Sequence, residues 1–117
     1  VDHAERGLRL SPFDQSLFYY YVFLSLAHYA NGDYAQAVKW GRMSQSENPL
    51  YSANLRSLAA SLAALDRIEE ARNVVANLMR IEPGFSMARW ERELQPFRDP
   101  VIKVRYLEHL RKAGLPD

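Results

Sequence analysis

Five pairs of identical residues recur in this chain at one fixed interval. Pro49 and Pro83 lie 34 positions apart (83 − 49), and the same step relates Leu24 to Leu58, Ala30 to Ala64, Ala37 to Ala71 and Ser52 to Ser86. Tyr34 and Ile68 are apolar in both copies, and Gly32 pairs with Asp66 at an expected helix break. A period of this length marks a supersecondary unit that cannot bury its apolar face alone. Neighbouring copies must stack to make one continuous core.

Local signals place helices inside the period. Asn31-Gly32 is expected to end one helix, because glycine tolerates the left-handed turn. Asp33 caps the next, with Gln36 three residues on, a capping box in outline. Pro49 and Pro83 each close a second helix, since proline cannot continue one. Ser52 and Ser86 are the expected N-caps of the helices that follow. In "LDRIEEA" Asp66 replaces the glycine and makes a weaker stop. After Ser86 the pattern decays: "SMARWEREL" reads as a helix with Arg89 and Arg92 where the repeat wants apolar residues, a capping helix with a wetter outer face. "RDPVIKVRYLEHLRKAGLPD" predicts a final helix, with Asp99 as N-cap, Pro100 in the first turn and Gly114 as the stop. Val101, Val104, Leu107 and Leu110 are its expected buried stripe.

The segment "SLFYYYVFLSLAHYA", residues 16–30, carries no charge in a chain that is 25% charged. A membrane span needs roughly 20 mostly apolar residues. The run from Leu17 to Ala30 falls short of that, holds several tyrosines and lacks flanking lysine or arginine, so neither a span nor a signal peptide fits. Apolar content of 48% is ordinary for a soluble globular protein. A net charge of +1 gives no electrostatic reason to expect a nucleic-acid or anionic-membrane partner. The absence of cysteine removes disulfides, thiolate zinc sites and thiol nucleophiles together, and fits a cytoplasmic protein.

The period and its residue types resemble the tetratricopeptide repeat. The first copy reads Tyr21, Leu24, Ser25, His28, Ala37, Gly41 and Pro49. The second reads Leu55, Leu58, Ala59, Leu62, Ala71, Val75 and Pro83. Gly41 departs from the usual aromatic, and Trp40 beside it is expected to fill that space. The resemblance implies an all-α solenoid of helical hairpins. Residues 1–12 would then be the end of a truncated preceding repeat, 13–50 the first repeat, 51–85 the second and 86–117 the C-terminal capping helices. It also implies that residues 18–31 form a first helix lining a concave groove, with Tyr19, Val22, Leu26 and Tyr29 facing inward. Part of its apolar surface should be uncovered, or covered by a second copy. The matching places in the second repeat are Ala53, Arg56, Ala60 and Ala63, and Trp90 follows in the capping helix. Two readings of these residues stay open. Tyr19, Tyr29, Arg56 and Trp90 grip a peptide or helix, as aromatic residues with an arginine do at interfaces. Alternatively, the tyrosine run is core and inter-repeat packing with its hydroxyls reaching solvent. The places that would hold a terminal carboxylate in chaperone adaptors carry Val22, Leu26, Ser57, Met87 and Glu91, so that clamp is missing.

Catalytic chemistry finds no support. His3, His28 and His109 have no spacing that places two of them on one helix face as ligands. Glu69 and Glu70 are adjacent, and adjacent helix residues diverge by ~100°, so they do not converge as an acid/base pair. There is no Gly-rich phosphate loop and no nucleophile elbow. The chain reads as a non-enzyme with no cofactor or metal. Taken in order, "LRLSPFD", "LSLAHYANGDYAQAVKW", "ENPLYSANLRSLAASLAALDRIEEA", "PGFSMARW" and the tail from Pro96 to Pro116 resemble the C-terminal repeat region of bacterial class III adenylate/guanylate cyclases. Similar tails follow winged-helix domains in bacterial transcription regulators. The resemblance implies a regulatory, partner-binding arm that takes a protein or peptide segment in the groove, with homodimerisation as the alternative role.

Overall fold

The computed structural model describes residues 17–83 and 97–115. These residues form five α-helices and no strand. They are α1 (Leu17–Ala30), α2 (Tyr34–Glu47), α3 (Ser52–Ala64), α4 (Ile68–Ile81) and α5 (Pro100–Lys112). The expected capping helix after Ser86 and the expected remnant at residues 1–12 lie outside the described residues. Among the described residues no helix is long and apolar enough to cross a membrane.

The 34-residue step reappears in the backbone. α2 and α4 begin and end one period apart (68 − 34, 81 − 47). In the turn after α1, Gly32 has φ +77° and Asp33 N–H donates to the His28 carbonyl at 2.9 Å. One period later Asp66 has φ +60° and Arg67 N–H donates to the Leu62 carbonyl, also at 2.9 Å. Each turn thereby satisfies a carbonyl that the helix end would leave unpaired. Asp66 does what glycine does at position 32, because a short polar side chain tolerates the left-handed conformation better than most. Asp33 accepts from the Gln36 N–H as its residue type predicts. Ser52, by contrast, is not a cap. Tyr51 occupies the cap position without a side-chain bond, and the Ser52 hydroxyl instead donates to Glu82 Oε1 at 2.6 Å. A nearby charged acceptor outcompetes the local N–H groups for that hydroxyl.

α1 and α2 pack along their lengths, as do α3 and α4, and α2 packs against α3 to join the two pairs. Small residues set the spacing. A Cβ on Gly41 would stand 3.1 Å from Leu58 Cδ1 and 3.5 Å from Ser25 Oγ, so the missing side chain is what lets α1, α2 and α3 meet. Ser25 Oγ donates to the Ala37 carbonyl at 2.7 Å, Ser44 Oγ to the Phe18 carbonyl at 3.1 Å, and Asn54 Nδ2 to the Gly41 carbonyl at 2.9 Å. These three bonds cross between helices. Trp40 stacks on Tyr21, with ring centroids 5.7 Å apart, and it is Leu58 and Ser25 that stand in the space Gly41 leaves.

α5 starts and stops where its signals predict. Asp99 Oδ1 accepts from the Val101 N–H at 2.8 Å, and Gly114 has φ +103°. Its buried face differs from the expected stripe. Val101 and Val104 are 73% and 54% exposed, whereas Tyr106, Leu107, Leu110 and Ala113 are buried. Steps of three residues drift around a helix that turns ~100° per residue, so Val101 and Leu110 point to opposite sides. The face that meets the core runs from Tyr106 to Leu110 and Ala113, at i, i+4 and i+7.

Replacing Gly41 by valine inserts atoms where Leu58 already sits at the limit of contact, and Leu58 is fully buried with little room to move. We expect Gly41→Val to lower the free energy of unfolding by ~1–3 kcal/mol in urea denaturation.

Candidate functional site

α3 is the most enclosed helix. Every residue from Asn54 to Ala63 is buried, polar ones included. α2 and α4 cover part of it, and α5 packs against it where the Tyr106 hydroxyl meets Ser57 and Arg56. α5 also reaches past α3 to the C-terminal end of α1. There the Tyr29 side chain is fully buried, with ring centroids at 5.6 Å from Phe97, 5.1 Å from Tyr106 and 5.8 Å from His109. Arg105 donates to the Ala30 carbonyl at 3.3 Å, and its guanidinium lies over the rings of Tyr29 and Tyr34. The Tyr29 hydroxyl is 2.5 Å from His109 Nδ1. Burial raises the pKa of both Tyr29 and Tyr106, so both keep their protons through the ordinary pH range.

The residues singled out from the sequence as groove-lining fall in three environments. Tyr29 contacts the chain's own C-terminal segment. Arg56 is buried, with Nη1 3.6 Å from Glu82 Oε2, and is a polar neighbour of the buried Tyr106 hydroxyl together with Ser57. Val22 is buried and Leu26 half-buried. Tyr19 remains 49% exposed, edge-on to Tyr51 at 5.4 Å and beside Phe18 at 4.2 Å. Trp90 lies outside the described residues. The structure therefore brings Tyr29 and Arg56 under α5 and leaves Tyr19 at the open end of the same α1 face.

Phe97, Arg105, Tyr106 and His109 were not singled out as site residues. Their signal was the i, i+4, i+7 spacing of Tyr106, Leu110 and Ala113, which puts His109 beside the buried face. The stripe drawn through Val101 and Val104 obscured it. His28, expected to be packed, is partly buried and sits 3.7 Å from Asp33 across the α1–α2 turn. Glu70 binds Arg67 and Arg42; the hydrogen bonds from Arg67 first, then the charges of both arginines, hold its carboxyl below the usual range, in keeping with a structural carboxylate.

Two other surfaces are open. Tyr20 and Phe23, 37% and 73% exposed, continue from Tyr19 along α1 at helical spacing. An open cleft of about 320 Å³ lies where α2 and α4 end, lined by Gln45, Pro49, Leu50, Asn77, Arg80 and Ile81. Compared with protein-family models, with curated proteins and with solved structures, the chain matches none.

Tyr106 is the largest side chain that α5 buries against α3. Tyr106→Ala removes that anchor and leaves a cavity beside Tyr29, with an expected cost of ~3–5 kcal/mol, the range for truncating a buried aromatic. The loss should fall on α5 first, visible as faster amide exchange in residues 102–112 than in α2 to α4.

Proposed function

We propose that this chain is a protein-interaction module of the tetratricopeptide-repeat kind, whose α1/α3 face takes a helical segment. The observation that carries this reading is that the face already holds a helix, α5. Its contact chemistry fits such a ligand: aromatic Tyr29 at one end, and Ser57 with Arg56 beside a tyrosine hydroxyl. Helix-in-groove recognition uses apolar anchors at i, i+3, i+4 and i+7, the spacing with which α5 presents Tyr106, Leu110 and Ala113. Absence of a catalytic constellation in the sequence favours binding over chemistry. The resemblance of the tail to class III nucleotide cyclases makes the regulatory arm of such an enzyme the biological setting we favour. A catalytic domain with paired metal-binding aspartates encoded upstream would support that setting, and a winged-helix domain there would replace it with a transcription regulator.

Self-association is a second reading, favoured by a separate observation. Tyr19, Tyr20 and Phe23 form a contiguous exposed apolar surface on α1, the kind that marks protein contact sites. Phe23→Ser changes an exposed residue without touching the core, so any shift in mass by light scattering reports on that surface.

The face is tested with a labelled peptide of residues 97–115 titrated into the Tyr106→Ala chain, whose own α5 is weakened. Saturable one-to-one binding is expected, weakened by adding Tyr29→Ala, which removes the ring on which Tyr106 and His109 pack. Binding that is unchanged by Tyr29→Ala places the peptide elsewhere and sinks the proposal.

A further inference from the structure

The contact that ties α5 to the end of α1 is built around an imidazole whose hydrogen-bonding role changes with its protonation. Tyr29 Oη faces the Arg105 guanidinium, which can only donate, so the tyrosine O–H is left to give. With Nδ1 unprotonated, His109 is the acceptor 2.5 Å away; once protonated it can only donate, and the Tyr29 oxygen then faces two cationic donors, Arg105 and His109. The groups around the ring oppose a positive charge. Tyr29 from α1 and Tyr34 from α2 present neutral rings, the latter edge-on at 5.5 Å. On α5 itself Arg105 and Lys112 are cationic, and Glu108 is the anion near the ring among the described residues. Asp66, from the α3–α4 turn, is bound to Lys112, and His28 and Asp33 of the α1–α2 turn face each other. Half-burial acts in the same direction as these cations, and the His109 pKa lies below its ordinary 6.5.

We propose that the Tyr29–His109 contact is an acid-sensitive latch: protonating His109 removes the acceptor, releases α5 from the α1/α3 face, and uncovers that face for a partner helix. The regulatory role rests on the helix-binding reading above, whereas the latch itself does not. The sign follows from the direction of the shift. A group that binds protons less readily when docked adds stability that is complete above its undocked pKa, near 6.5, and that is lost as pH falls below it. Acid therefore loosens α5, and neutral pH closes it.

The test uses the whole 117-residue chain at about pH 7.5 and about pH 5.5, the interval over which histidine charges. Amide exchange, corrected for the intrinsic effect of pH, is read in residues 102–112 and in α3. We expect protection of 102–112 to fall several-fold at the lower pH in the wild-type chain while α3 holds. His109→Gln keeps a neutral acceptor and should abolish the response. Tyr29→Phe keeps the buried ring but removes the donor, and should leave α5 loosened at both pH values. A fluorescein-labelled peptide of residues 97–115 carrying His109→Gln should bind the wild-type chain more tightly at the lower pH. If exchange responds as expected and the peptide binds at neither pH, the latch stands and the helix-binding reading fails. Protection of 102–112 that is independent of pH would overturn the latch. So would an equal loss in His109→Gln, which would assign the response to His28 or another group.

Discussion

Everything in this molecule leans on α3, and α3 can be surrounded because its side chains are small. Ser57, Ala59, Ala60, Ser61 and Ala63 let α2, α4 and α5 approach from different sides, while Leu55, Leu58 and Leu62 fill the spaces between. Burying one such leucine contributes on the order of 1.5–3 kcal/mol. The contribution is realised only where neighbouring backbones come close enough to leave no void. Gly41 supplies that approach on the α2 side, where Leu58 occupies the volume a side chain would have taken. The buried polar atoms serve the same geometry: Ser25 and Asn54 each bond a carbonyl of α2, fixing the registers of α1 and α3 against it.

The uncharged segment that forms α1 looks like the natural centre of the fold, yet it is not enclosed. Leu24, Ser25 and Tyr29 are buried, while Tyr19, Tyr20 and Phe23 are open. Apolarity on all sides makes burial favourable without saying where the covering groups come from. α3, with arginine, asparagine and three serines, is the helix that the core surrounds. Its polar groups are tolerated inside because several have partners: Asn54 bonds Gly41, Ser61 bonds back to the Ser57 carbonyl, and Arg56 lies by Glu82.

Docking of α5 links this packing to function. Phe97, Tyr106 and His109 gather around Tyr29, so one cluster of rings closes the α1/α3 face. Aromatic pairs in offset and edge-on contact add to the area they bury. His109 is the ring of this cluster that ordinarily titrates near neutral pH, and the proposed latch rests on it. If the face takes a partner helix as proposed, that helix competes with α5, and the balance is set by how firmly α5 is held.

The sequence by itself determined the period, the turns and most helix ends. Gly32, Asp33, Asp66, Asp99 and Gly114 act through bonds to backbone groups a few positions away, and such bonds depend on local residue type alone. Gly41 was legible as an anomaly, though its reason, the approach of Leu58, was not. Tertiary structure alone decided that Tyr29 and Arg56 would be covered, that Val101 and Val104 would face out, and that His109 would meet Tyr29. Tyr29 and His109 are 80 residues apart in sequence. Two faces of α5 were both apolar enough to bury, and the choice between them fell to the one that fitted against α3 and Tyr29. That fit is a property of two surfaces together, and no single stretch of chain contains it.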